Sequence, residues 1–144
     1  MRILISACLL GARCRYDGVS KLQPWISDLA ERHILVPVCP EQLGGLPTPR
    51  PPAEILDGKV INAESADVTQ QYEKGAREIL KLARLFNCEA AILKERSPAC
   101  GFGKVHNGLF DGGLVEGNGV LAGLLSREGL TIIGETQTDR LTRL

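Results

Sequence analysis

Three short apolar runs, each leading the chain to a cysteine, constrain this sequence more than any other feature. Ile3-Leu4-Ile5 precedes Cys8, Ile34-Leu35-Val36-Pro37-Val38 precedes Cys39, and Ala90-Ala91-Ile92-Leu93 precedes Cys100 by a few residues. Compact runs of this kind, alternating with helical patterns, are the mark of buried parallel strands with covering helices. As neighbouring strands they would bring all three thiols out along one sheet edge, where open α/β sheets take their ligands. The expected fold is therefore α/β, a single small domain over residues 1–144. Its sheet should be mostly parallel, of about four to five strands flanked by helices in a Rossmann-like three-layer arrangement.

The covering helices carry their own signals. Pro24 suits the first position of a short helix with Trp25, Ile26 and Leu29 as its buried stripe. Asp67 reads as an N-cap, with Gln70 placed to reach back in a capping box. Val68, Tyr72, Ala76, Ile79, Leu80, Ala83 and Phe86 then recur at helical spacing, with Arg77, Lys81 and Arg84 opposite, and the helix should end near Asn87. Gly119–Glu128 predicts a last helix capped by Asn118, and Leu130–Ile133 a fourth strand. Lys59-Val60-Ile61 predicts a hairpin arm, and the polar tail from Glu135 to Leu144 a mobile end.

Two segments resist regular structure. Gly44 to Pro52 holds prolines that exclude helix or central strand, and its place after Cys39 makes it a pocket wall. Lys94 to Asn118 is glycine-rich without apolar periodicity, and is expected as a long functional loop at the carboxyl edge of the sheet.

Charge narrows the partners. The 17 basic and 17 acidic side chains cancel, so no broad positive field draws the chain to a nucleic-acid backbone. A small-molecule substrate is expected. No stretch approaches the roughly 20 apolar residues of a membrane helix. Too few residues precede Ile5-Ser6-Ala7-Cys8 for a lipoprotein-type leader, whose apolar region runs to about 7–15 residues. The expected location is cytoplasmic, where thiols stay reduced and clustered cysteines serve metals or chemistry.

The gaps between Cys8, Cys39 and Cys100 are too long for a local Cys-x-x-Cys knuckle, so tertiary structure must assemble any site they form. A structural zinc would call for a fourth ligand such as histidine. His33, at a strand's start, belongs at the opposite edge, and His106 lies deep in the glycine-rich loop. Three sulfurs and one open position suit a cubane cluster with three irons anchored and the fourth exposed. Cys88, at a helix–strand junction, reads as packing, whereas Cys14 shares the loop of Cys8 and is a candidate fourth ligand. Asp17, Arg50 and Lys94 are candidate substrate contacts, with ordinary surface or loop-stabilising roles as the alternative. The loop after Cys8 has neither a GxGxxG nor a GxxxxGK(S/T) pattern, which sets nucleotide binding aside.

Five motifs in order extend this reading: Ser6-Ala7-Cys8-Leu9-Leu10-Gly11, Arg15-Tyr16-Asp17-Gly18, Val38-Cys39-Pro40-Glu41, Gly44-Gly45-Leu46-Pro47-Thr48-Pro49-Arg50 and Ser97-Pro98-Ala99-Cys100-Gly101. Together they resemble the domain-of-unknown-function 523 family, whose members are described as thiouracil desulfidases, over nearly the whole chain. The resemblance implies a small α/β domain with a [4Fe–4S] cluster on Cys8, Cys39 and Cys100. It implies Glu41 and Ser97 as catalytic groups, leaves Cys14 outside the ligand pattern, and places Ala99 where relatives commonly carry serine. The implied reaction replaces the thiocarbonyl sulfur of a thiolated pyrimidine with oxygen, without net redox change. Neutral charge fits a free base or nucleoside as substrate. Two other readings stand beside it: a non-catalytic iron–sulfur or zinc module, and a metal-free hydrolase with Cys100 as nucleophile. The latter lacks an obvious histidine partner.

Overall fold

The structure, a computed structural model, describes residues 1–143. In chain order its elements are β1 (Arg2–Ser6), a 3-10 turn (Ala7–Leu10), α1 (Ile26–Arg32), β2 (Ile34–Val38), α2 (Pro40–Leu43), β3 (Ala53–Leu56) and β4 (Lys59–Asn62). There follow α3 (Thr69–Leu85), β5 (Ala90–Leu93), β6 (Lys104–His106), β7 (Leu114–Glu116), α4 (Val120–Arg127), β8 (Thr131–Gly134) and a final 3-10 turn (Thr138–Arg143).

Four strands pair in parallel in the order β2-β1-β5-β8. Ile5 stands beside Pro37 on one side and Ile92 on the other. Pro37 is accommodated because β2 is an edge strand, where a missing N–H need not break a ladder bond. The chain leaves β1 through α1 to one side and reaches β5 on the other, so the strand order reverses at β1. Open α/β sheets bind ligands at the carboxyl end of such a reversal.

Side-chain alternation along β1 divides the core into two faces. Leu4 points toward α3 and α4, where it meets Ile79, Leu121 and Leu125. Ile3 and Ile5 point the other way, into a cluster with Leu29, Ile133 and Leu141. Each fully buried aliphatic side chain contributes about 1.5–3 kcal/mol. The three-layer α/β fold expected from the sequence is present.

Local differences have local causes. Asp67 does not close a capping box with Gln70; its carboxylate accepts the Thr69 N–H at 2.9 Å and the Thr69 hydroxyl at 2.6 Å, and α3 begins at Thr69. The short Asp side chain reaches the amide two residues on, an Asx turn. Thr69 Oγ1 in turn accepts the Val60 N–H at 2.8 Å, which ties β4 to the helix start. Pro24 falls in the turn before α1 rather than at its first position. Asn118 accepts the Gly103 N–H at 2.8 Å instead of capping α4, whose N-cap is Gly119.

Lys59-Val60-Ile61 forms the expected arm, paired antiparallel with β3. The glycine-rich segment is more ordered than its composition suggests, for it contains the antiparallel hairpin of β6 and β7. Each strand is too short to register as an alternating pattern. Asx bonds in the turn define it instead: Leu109 N–H to Asn107 at 2.9 Å and Gly113 N–H to Asp111 at 2.8 Å. The tail is tethered, with Leu141 buried against the β1 face. Of the segment expected to be mobile, Leu144 lies outside the described residues.

One close approach positions the site. A β-carbon on Gly75 of α3 would stand 1.9 Å from the Pro40 carbonyl oxygen, and one on Gly44 would stand 2.0 Å from that of Gln71. With hydrogen at both positions, α2 lies directly on α3, holding Cys39-Pro40-Glu41 against the core. Among the described residues no helix is long and apolar enough to cross a membrane.

Candidate active site

The adjacent strands β2, β1 and β5 send their carboxyl ends into one cavity of about 530 Å³, lined by Cys8, Cys39 and Cys100. That is the size of a small-molecule site, roughly 300–1,000 Å³. Cys8 sits in the 3-10 turn just after β1, closed by Gly11 in the left-handed region at φ +98°. Cys39 ends β2 and precedes Pro40, the first residue of α2. Cys100 closes a turn in which Ser97 Oγ accepts the Ala99 and Cys100 N–H groups, both at 3.0 Å, and Gly101 N–H bonds the Ser97 carbonyl at 2.8 Å.

All three thiols are free. Ser6 Oγ donates to Cys100 Sγ at 3.3 Å. Cys39 Sγ lies 3.8 Å from the Cys14 carbonyl oxygen and 4.0 Å from Glu41 Oε1. The bond with Cys14, burial and the Glu41 charge hold the Cys39 thiol far above the usual thiol range. Burial, then the Glu41 charge, do the same to Cys100. Burial also raises Glu41, against the pull of Arg50.

Bound iron would hold such thiols as thiolates. Among the described residues no group of three or more His, Cys, Asp or Glu is set to hold a single metal ion. Three cysteines lining one cavity are a donor set that fits an iron–sulfur cluster.

Glu41 and Ser97 line this cavity with the cysteines. Both accept or pair locally as well. Glu41 Oε2 is 3.4 Å from Arg50 Nη2, and Ser97 caps its own turn while its hydroxyl proton stays free to donate. Arg50 is buried, and donates to the carbonyls of Pro47 at 3.2 Å and Cys14 at 3.0 Å and to Thr48 Oγ1 at 3.1 Å. It braces loops rather than presenting an open guanidinium. Lys94 borders the cavity, but its ammonium is held by Glu135 at 3.0 Å and the Glu95 carbonyl at 3.3 Å. Asp17 is a correction. It is exposed and stands outside the cavity lining, its carboxylate taken by Arg15 at 3.1 Å and the Val19 N–H at 3.0 Å.

Residues 3–137 match the 2-thiouracil desulfurase family. This chain belongs to that family.

The likeness to known proteins runs nearly end to end. Protein YbbK of Bacillus subtilis (strain 168) is 42% identical over 147 residues, covering 95% of this chain and 97% of its own. Among solved structures, the [4Fe-4S]-dependent thiouracil desulfidase TudS (DUF523Vcz) superimposes with a TM-score of 0.87 at 41% identity, over 99% of this chain and 94% of that one.

Sequence reasoning missed two residues of this desulfurase-family site. His106 belongs to the glycine-rich loop by sequence, and β6 brings it to the cavity wall, where its Nδ1 is shielded from solvent and has no hydrogen-bond partner among the described residues. Ser6 opens the first of the five motifs but carries no role in the sequence reading. Its signal is its place, a small hydroxyl at the last residue of a strand that leads to the cavity.

Proposed function

We propose that this protein carries a [4Fe–4S] cluster on Cys8, Cys39 and Cys100 and removes the thiocarbonyl sulfur of a small thiolated pyrimidine. The substrate class is a thiouracil-type base or nucleoside; water supplies the oxygen, and sulfide leaves. One observation carries the reading: three strand-end thiols meet on a single cavity that also holds a half-buried carboxylate and a serine hydroxyl. The match to the thiouracil desulfidase TudS supports it independently.

When bound, the cluster supplies a thiophilic Lewis acid with one uncommitted iron, so that sulfur leaves carbon without net electron transfer. Glu41 is the general base, accepting a proton from the attacking water at the carboxylate oxygen that faces the cavity. Its raised proton affinity suits it to that task near neutral pH. Arg50 holds the opposite oxygen and so fixes the carboxylate plane. Ser97, with its oxygen occupied by two backbone N–H groups, donates its hydroxyl proton toward the water or the ring. His106, on the cavity wall, meets the polar edge of the pyrimidine. The balanced charge of the chain favours a free base or nucleoside over a long RNA. Reduced thiols fit a cytoplasmic setting.

The test is anaerobic reconstitution followed by incubation with 2-thiouracil. Uracil and sulfide should appear in equal amounts with the cluster-loaded protein and not with the cluster-free protein. Fully loaded protein that forms no product from thiolated bases or nucleosides would overturn the assignment.

A further inference from the structure

We infer that Ser6 tunes one corner of the metal site by donating a hydrogen bond to the Cys100 sulfur, which makes the three ligands electronically unequal. This rests on the cluster reading above.

Ser6 closes β1, opposite Val38 in the ladder, and is only 3% exposed. Its oxygen has two neighbours. The Lys94 N–H donates to Oγ at 2.9 Å, and Oγ lies 3.3 Å from Cys100 Sγ. A hydroxyl has one proton and two acceptor positions. The Lys94 amide proton fills an acceptor position, so the hydroxyl's own proton is directed at sulfur. Burial keeps water from competing for it. A metal-bound thiolate only accepts, and iron therefore enforces this polarity.

Cys39 has mixed surroundings, since its sulfur faces the Cys14 carbonyl oxygen and the Glu41 carboxylate as well as the backbone N–H of Gln42. A buried hydroxyl donor at Cys100 and two oxygen acceptors beside Cys39 make the two sulfurs unequal. Hydrogen bonds to ligating sulfur are among the factors that set cluster potentials. A hydrogen-bonded thiolate gives less charge to iron, which leaves the metal a stronger Lewis acid toward a thiocarbonyl. Ser6 is thus a positioning residue.

The decisive experiment compares anaerobically reconstituted wild-type and Ser6→Ala proteins by iron content, midpoint potential and the iron–cysteine stretching bands in resonance Raman spectra. Ser6→Ala should bind the same iron, with a lower midpoint potential and a stiffer iron–cysteine band. Equal iron with unchanged potential and bands would overturn the role of Ser6 while leaving the cluster intact. Should Ser6→Ala fail to load, wild-type protein reconstituted in D2O decides: the Cys100 bond requires an isotope shift in an iron–cysteine band, and no shift refutes it. Wild-type protein that binds no iron would instead overturn the cluster reading itself.

Discussion

Arg50 Nη2 stands 3.4 Å from Glu41 Oε2, and the same nitrogen donates to the Cys14 carbonyl at 3.0 Å. One guanidinium thus joins the loop after β1, the proline-rich wall and the carboxylate beside the second cysteine. The other carboxylate oxygen is left facing Cys39 Sγ at 4.0 Å. The charge pair therefore orients Glu41 without consuming it.

Glu41→Gln keeps the shape and can still meet Arg50, but cannot take a proton. It should retain wild-type iron content and lose turnover by about 10²–10⁴-fold, the usual scale for a general base. Iron analysis alongside single-turnover rates measures both.

Alanine at Cys8, Cys39 or Cys100 should abolish stable cluster binding, since each removes one of only three anchors. Cys14→Ala should still load, because Cys14 stands outside the proposed ligand set. Iron and sulfide per chain after anaerobic gel filtration will separate the two outcomes.

His106 and Asp17 give opposite expectations. Loss of one substrate hydrogen bond in His106→Ala should raise KM by about tenfold with kcat little changed. Asp17→Ala should leave both constants at wild-type values, since it removes a loop bond from the Val19 N–H and a surface pair with Arg15, the pair worth about 0–1 kcal/mol. Steady-state kinetics on 2-thiouracil distinguish them.

Much of this was written in plain residue patterns. The apolar runs specified β1, β2 and β5, and the parallel order follows from runs that alternate with helices. Five motifs located the cysteines and Glu41 and Ser97. Asp17 misled because a carboxylate beside Gly18 looks the same in sequence whether it meets a ligand or closes its own loop with Arg15 and Val19. His106 stayed hidden because β6 and β7 are too short for periodicity, and only their pairing carries the imidazole to the cavity. Ser6 depends on contacts with Lys94 and Cys100, far along the chain, which no local pattern reports.

Gly75→Ala tests the seat of α2. The added methyl cannot coexist with the Pro40 carbonyl, so α2 must lift from α3 and carry Cys39 and Glu41 with it. Destabilisation of about 1–3 kcal/mol is expected from overpacking. Weaker cluster retention should accompany it. Urea denaturation of the cluster-free protein, and the rate of iron release from the loaded one, report each effect.

Asp67 gives a pH dependence away from the cavity. Its bonds from Thr69 hold the carboxyl below the usual aspartate range. The stabilisation is fully present above the unfolded value, near pH 4, and is lost as pH falls through the lower folded value. Asp67→Asn lacks this titration. The gap in urea midpoint between wild type and variant should be constant at neutral pH and close as the solution is acidified below about pH 4.

Glu135 lies just beyond β8, which brings no sulfur to the cavity. Its carboxylate nonetheless takes the Lys94 ammonium at 3.0 Å and the Glu95 N–H at 2.7 Å, at the mouth of the strand that leads to Cys100. Replacing everything after Gly134 with an affinity handle would therefore not be an innocent cloning choice. It would unfasten the backbone that leads to Cys100.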